Sequence, residues 1–293
     1  MIYISSACVQ HEKIKDSVEK LAQNGFEHIE LSGGTKYCEG YEQDLIELKN
    51  KYDLKYLLHN YFPPPKEDFI LNLASLDDEI YQKSLKHYEG AIALSQKLGS
   101  KKYGFHAGFL IDFKIDEIGE KISFTEIYDK DKAIKRFCEG FNSLKEKADG
   151  VELYIENNVL SPSNAQTFQD KNPFLLTDYS GYEELKELID FKLLLDVAHL
   201  NVSANSLGLD FVEQLKKMIS ISDYIHLSDN NGMHDQNRCF SDDSDILHIL
   251  KEFNFNDKTV TLETYGSISD IKLSQSIVHK QLCARMDALE VNE

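Results

Sequence analysis

Leu193-Leu194-Leu195-Asp196-Val197-Ala198-His199 reads as a core strand with chemistry at its tip. Three consecutive leucines form a fully apolar run, the pattern of a strand buried on both faces in a parallel sheet covered by helices. Asp196 follows at once, and His199 three residues later. A carboxylate and an imidazole are costly at the end of a core strand unless something there uses them. The same grammar recurs in Lys55-Tyr56-Leu57-Leu58-His59, Tyr103-Gly104-Phe105-His106, Val151-Glu152-Leu153-Tyr154-Ile155-Glu156, Tyr224-Ile225-His226 and Thr259-Val260-Thr261-Leu262-Glu263. Each is a short apolar segment ending in a histidine or an acid. One such ending means little, but six form a constellation.

Outward from these segments the chain alternates strand and helix. The first strand is expected over Ile2 to Val9 and the second over His28 to Leu31, with an amphipathic helix from about Glu12 to Asn24 between them, closed by Gly25. A helix over Glu42 to Lys51 leads to the strand ending at His59. The run Asn60-Tyr61-Phe62-Pro63-Pro64-Pro65 then excludes helix and central strand. A long helix, Asp77 to Leu98, precedes strand four, Lys102 to His106. The loop Ala107 to Tyr128, a helix over Lys132 to Ala148 and strand five, Val151 to Glu156, come next. Asn157 to Ser180 reads as the longest irregular piece, a length often tied to function. Helices over Tyr182 to Asp190 and Asp210 to Ile219 flank strand six. Strand seven is Tyr224 to Leu227, followed by the polar loop Ser228 to Asp243. A helix over Ser244 to Phe253, strand eight over Thr259 to Glu263 and a last helix from about Ser269 to Leu289 complete the chain.

Eight strand–helix units without a linker or composition break predict a (β/α)8 TIM barrel, one domain over residues 1–293. An open doubly wound sheet would place its ligand at one switch point, not at six strand ends, and no G-x-G-x-x-G or P-loop supports it.

Composition narrows the partners. The hydrophobic fraction of 42% is ample for a large core. A formal charge of −18 argues against a surface that grips phosphate backbone along its length, because that binding needs clustered Lys and Arg. Nucleic acid is therefore not the expected partner. The five cysteines are scattered without a C-x-x-C pair, which suits reduced thiols and excludes a cysteine-type zinc knuckle. The opening Met1-Ile2-Tyr3-Ile4-Ser5 carries no basic n-region or long apolar stretch, and no run approaches the roughly 18 apolar residues of a membrane span. The expectation is a cytoplasmic protein without membrane contact.

In a barrel, the C-terminal strand ends share one mouth. Glu156, Asp196, His226 and Glu263 would converge there, and three uncompensated carboxylates would repel one another and take up protons. A divalent cation removes that problem, and a mixed nitrogen and oxygen set suits Zn²⁺, Mn²⁺, Co²⁺ or Mg²⁺. The alternative is that each residue caps a helix or pairs with a lysine. His59 and His106, on adjacent strands, either add a second metal bridged by Glu156 or bond to substrate. His199 binds a further metal, contacts substrate or orients a neighbour. Asp235 and Arg238 lie in a polar loop, Arg238 as its one arginine, able to hold a substrate phosphate or hydroxyl. Glu30 offers an acceptor at the end of strand two, and Tyr61 with Phe62 would roof the mouth or pack it. Cys8 reads as core rather than nucleophile.

With these residues placed, the chain resembles the xylose-isomerase-like superfamily of barrels, which includes sugar isomerases, ketose 3-epimerases and endonuclease IV. The resemblance rests on Gly25-Phe26-Glu27-His28-Ile29-Glu30-Leu31, Phe105-His106-Ala107-Gly108, Ile155-Glu156-Asn157-Asn158, Asp196-Val197-Ala198-His199, His226-Leu227-Ser228-Asp229-Asn230 and Leu262-Glu263-Thr264, in that order. It implies Glu156, Asp196, His226 and Glu263 as metal ligands. It also implies the two glutamates as proton shuttles and His199 as a substrate contact. Glu30, Tyr61, Asp235 and Arg238 join His199 as candidate substrate-binding residues. Endonuclease IV-like members would add His59 and His106 to a second zinc. Their third zinc would take His199, Asp235 and a histidine where this chain has Asn237, so that site is incomplete. The acidic, proline-rich Pro63-Pro64-Pro65-Lys66-Glu67-Asp68 also interrupts the stretch resembling the nuclease's DNA-probing loop. The reading is a metal-dependent isomerase or epimerase of a sugar or sugar phosphate. The alternatives are a zinc phosphodiesterase acting on abasic DNA and a non-catalytic sugar-binding barrel. Barrels of this kind often pair, which leaves a homodimer open.

Overall fold

The computed structural model describes residues 1–169 and 171–283. Eight parallel strands close into a barrel in chain order: β1 (Ile2–Ser5), β2 (His28–Leu31), β3 (Lys55–His59), β4 (Lys102–His106), β5 (Glu152–Glu156), β6 (Lys192–Asp196), β7 (Tyr224–Leu227) and β8 (Thr259–Leu262). The ring shuts where Ile4 of β1 lies beside Leu262 of β8. Around it run α1 (Ile14–Gln23), α2 (Tyr41–Tyr52), α3 (Asp78–Leu98), α4 (Lys130–Lys147), α5 (Pro162–Thr167), α6 (Tyr179–Lys186), α7 (Val197–Leu207), α8 (Phe211–Ile219), α9 (Asp245–Leu250) and α10 (Ile268–Val278). Among the described residues no helix is long and apolar enough to cross a membrane.

Strand period two divides each strand between a helix-facing and an interior set. Ile4, Ile29, Leu58, Phe105, Ile155, Leu195, Ile225 and Leu262 pack outward into the main core. Tyr3, Leu57, Tyr154, Leu194 and Tyr224 form a separate cluster that fills the barrel. Below it, Tyr154 donates to Asp223 (2.7 Å) and Glu152 (3.1 Å), and Lys102 reaches Asp223 at 2.9 Å. One interior step above that apolar layer come His106, Glu156, Asp196 and His226. Register sets them side by side, with His106 opposite Glu156 and Asp196 opposite His226.

Gly104 makes this packing possible. A Cβ there would lie 2.6 Å from Leu194 Cδ2 and 3.4 Å from the His59 ring. Gly104→Ala is expected to destabilise the fold by about 1–3 kcal/mol through overpacking, measured by chemical denaturation. An unchanged midpoint would mean the interior has slack that these contacts deny.

Several elements differ from the sequence reading. β1 stops at Ser5, and a 3-10 turn, Ser6–Cys8, replaces the expected strand end, because the Ser5 hydroxyl accepts the amide of Ala7. The expected long irregular segment contains α5, started by Ser161 as cap with Pro162 in the first turn. α7 is absent from the sequence reading. It begins directly after β6, with the Asp196 carboxylate accepting the His199 amide at 2.7 Å. The last helix is observed over Ile268–Val278 and continues as a π-helical turn, His279–Cys283; the remainder of the expected span lies outside the described residues. Phe62 is buried against Tyr41 in the core and roofs nothing. Cys8 is buried, with its thiol pushed up by burial.

Candidate metal centre

His226 stands at the middle of the barrel mouth. Its Nδ1 lies 3.3 Å from Glu156 Oε1 on one side and 3.4 Å from Glu263 Oε2 on the other. Neither approach has hydrogen-bond geometry: His226 Nδ1 and Glu156 Oε1 are both buried without a partner, as is His106 Nδ1. Buried polar atoms are ordinarily satisfied, so donor atoms crowded together and left without a hydrogen-bond partner fit the ligand set of a cation. Ligand atoms of Asp196, His226 and Glu263 lie within 4.8 Å of one another, as do those of Glu156, Asp196 and His199 and those of His59, His106 and Glu156. The sequence-expected residues therefore converge. Mixed imidazole and carboxylate donors fit a divalent ion of the zinc or manganese kind.

The surrounding bonds fix which atoms are free. Glu30, placed among the substrate contacts by the sequence, sits instead beneath the site, fully buried. Its Oε2 takes His226 Nε2 at 3.1 Å, the Thr261 hydroxyl at 2.7 Å and the Tyr224 hydroxyl. A carboxylate only accepts, so His226 Nε2 carries the proton and Nδ1 is left for an ion. Asn157 clips β5 to β6, accepting the Asp196 amide (2.8 Å) and donating to the Asp196 carbonyl (2.9 Å). The Asn157 carbonyl faces His199 Nδ1 at 3.0 Å, so that nitrogen is protonated and Nε2 points at Asp235, 3.2 Å away. His59 Nε2 bonds to Glu156 Oε2 at 2.8 Å, and His106 Nδ1 lies 3.1 Å from the same oxygen.

Electrostatics agree with a cation site. Burial alone would raise Glu156, but His106, His59 and His226 outweigh it and hold its carboxyl well below the usual range. Burial would likewise lower His226 and His199. Glu30 reverses this for His226, as Asp196 and Asp235 do for His199, and both imidazoles stand well above their ordinary value. Burial lifts Asp196 to about 7, and pushes His106 down to about 4 against the pull of Glu156. Protonated imidazoles thus supply the positive charge that an ion would supply when bound.

Of the other expected residues, Tyr61 and Asp235 line a cavity of ≈ 420 Å³ beside the centre, together with His106 and His199. Arg238 does not line it. Its guanidinium is half exposed and 3.7 Å from Asp229, in a loop ion pair outside the cavity lining. Asn157, Tyr224 and Thr261 are site residues that the sequence reading missed. The alternation of β7 and β8 could have flagged the last two, since each lies two positions before an end residue. Glu30→Gln is expected to weaken metal affinity by about 10–100-fold, read by competition with a chelating dye. An unchanged affinity would mean that Glu30 does not orient His226.

Residues 18–279 match the model of the family described as xylose isomerase-like TIM barrel. An uncharacterized protein of Methanocaldococcus jannaschii is 28% identical over 279 residues, covering 93% of this chain and 91% of its own. Among solved structures, a D-tagatose 3-epimerase-like protein superposes with a TM-score of 0.72 at 18% identity, covering 98% of this chain and 99% of its own. Endonuclease IV from Thermus thermophilus superposes with a TM-score of 0.60 at 13% identity, covering 96% and 98%. At these identities the likeness of the two structures is one of fold.

Proposed function

This chain belongs to the xylose isomerase-like TIM barrel family, and on that premise we propose that it is a divalent-metal-dependent isomerase or epimerase acting on a sugar. The observation that carries the reading is the unpaired His226 Nδ1 between Glu156 and Glu263. His226, Glu156, Asp196 and Glu263 would hold the ion. When bound, it supplies Lewis-acid polarisation of a carbonyl oxygen and its neighbouring hydroxyl.

The remaining chemistry falls to the side chains. Glu263 is the more accessible glutamate, 17% exposed against 1% for Glu156. It removes the proton α to the carbonyl. Glu156 has Oε2 held by His59 and Oε1 free; being ionised itself, it relays to the opposite side a proton taken from the His59 imidazolium, which is left neutral while Glu263 keeps the proton it removed. His199, with Nε2 toward the cavity and Asp235, positions a substrate hydroxyl. Incubating metal-loaded protein with ketoses in D₂O tests the reading. Deuterium should enter at the carbon next to the carbonyl, and no exchange across a broad panel would refute it.

A second reading, a metal-dependent phosphodiesterase, is favoured by one observation. His59 and His106 both meet Glu156 Oε2, a geometry suited to a second ion and a two-metal clamp on phosphate. The charge of −18 and the substitution of Asn237 for a third-site histidine weigh against it. Abasic duplex cleavage with salt-sensitive binding would support it, and absence of any gel shift at low salt would remove it.

A further inference from the structure

Past His106 the mouth continues into the ≈ 420 Å³ cavity, covered by residues 107–129 and by the segment that carries α5. This cover has its own apolar core, including Ile111, Ile122, Leu160, Phe168 and Phe174, apart from the barrel's main core. One cavity wall is aromatic. The Phe109 ring meets Phe113 and Phe174 edge-on, with centroids 5.3 and 5.7 Å away. The wall is held without a ligand, because Asn72 clamps the Phe109 backbone from both sides, accepting its amide at 3.0 Å and donating to its carbonyl at 2.9 Å. Leu110 bonds to the Pro173 carbonyl at 2.7 Å, joining the two covering segments.

The charge around this space is unfavourable to an anion. Lys121 is the one lysine or arginine among the described residues lining it, and Glu117, Glu120 and Asp235 line it too. Even with the protonated His199 counted beside Lys121, a phosphate there would face the three carboxylates of Glu117, Glu120 and Asp235, and His199 is already engaged by Asp235. A preformed slot that joins one aromatic wall to polar side chains elsewhere in its lining suits a flat apolar substituent on a polar molecule. We infer that the substrate is uncharged and carries a flat apolar group, of the class of an aryl-substituted sugar. The ring sits on the wall of Phe109, Phe113 and Phe174, and the sugar oxygens face His199 and Asp235. The sugar half of this inference rests on the proposed function; the aromatic half rests on the cavity alone.

The test pairs two measurements. Calorimetry on metal-loaded protein compares a panel of ketoses with their O-benzyl derivatives and their phosphates. The benzylated sugars should bind about tenfold tighter or more, and the phosphates no tighter than the free sugars. Separately, benzyl alcohol is titrated into chelator-treated protein and followed by the aromatic resonances of Phe113, without metal or turnover. Phe113→Ala, and Val159→Phe as a variant that fills the space instead of emptying it, should each remove the benzyl preference, with thermal unfolding confirming that they fold. Ketoses that bind and exchange while benzylation gains nothing would overturn the inference and leave the isomerase reading standing. Benzyl alcohol binding while every sugar fails to bind would refute the isomerase reading and support the aromatic slot. Tighter binding of phosphates would overturn the inference outright.

Discussion

Replacing Glu263 by glutamine is expected to lower kcat for exchange of the substrate proton by about 10²–10⁴-fold while metal remains bound. Glutamine keeps an oxygen that can face the ion beside His226 Nδ1, 3.4 Å from the present carboxylate. It loses the capacity to take up a proton. Loss of metal and loss of base are thereby separated, which an alanine would confound. Glu156→Gln should give a similar fall. That glutamate is fully buried and also balances His59 and His106, so an alanine there would leave imidazoles facing an uncharged gap. Metal content by elemental analysis and kcat by isotope exchange read the two effects independently. Parallel loss of metal and activity in Glu263→Gln would assign that residue to ligation alone.

The second large effect is on metal uptake against pH. His226 and His199 hold protons well above the ordinary imidazole value, against the trend that burial alone would give. A group whose folded pKa is raised keeps its proton until the pH passes that value, so an ion entering at His226 Nδ1 must displace that imidazole's proton, while His199, which does not hold the ion, keeps its own. Affinity should therefore rise with pH by about tenfold per unit for each proton displaced. It should level off only once the pH exceeds the His226 value. Asp196 sits at about 7, so below neutrality its proton must leave as well and the dependence steepens. Metal titrations in weakly buffered indicator dye should release protons, fewer as the pH is raised. A flat profile between pH 6 and 8 (about two units) would mean that the His226 imidazole is already neutral and the account of the metal-free charge balance is mistaken.

Much of this was legible in the chain because barrel strands impose two simple rules. Apolar runs mark the strands, and whatever polar residue ends a run points into the mouth. His59, His106, Glu156, Asp196, His226 and Glu263 obey both, and the structure brings them together. Glu30 obeys them less clearly, being followed by Leu31 within the same strand. Its partner Tyr224 is 194 residues away, and nothing local signals that pairing. Asp196 carries two messages in one residue. As a strand end it suggests a ligand, and as a cap it starts α7, which alternation of strand and loop conceals. The cavity was illegible for a different reason. Its aromatic wall is assembled from Phe109, Phe113 and Phe174 across two loops, where no periodicity exists to read.

Anomalous diffraction from crystals saturated with Zn²⁺ or Mn²⁺ tests the central claim most directly. One ion should appear about 2.0–2.2 Å from His226 Nδ1 and share ligand oxygens from Glu156, Asp196 and Glu263. An ion bound elsewhere, with His226 Nδ1 left unligated at saturation, would contradict it.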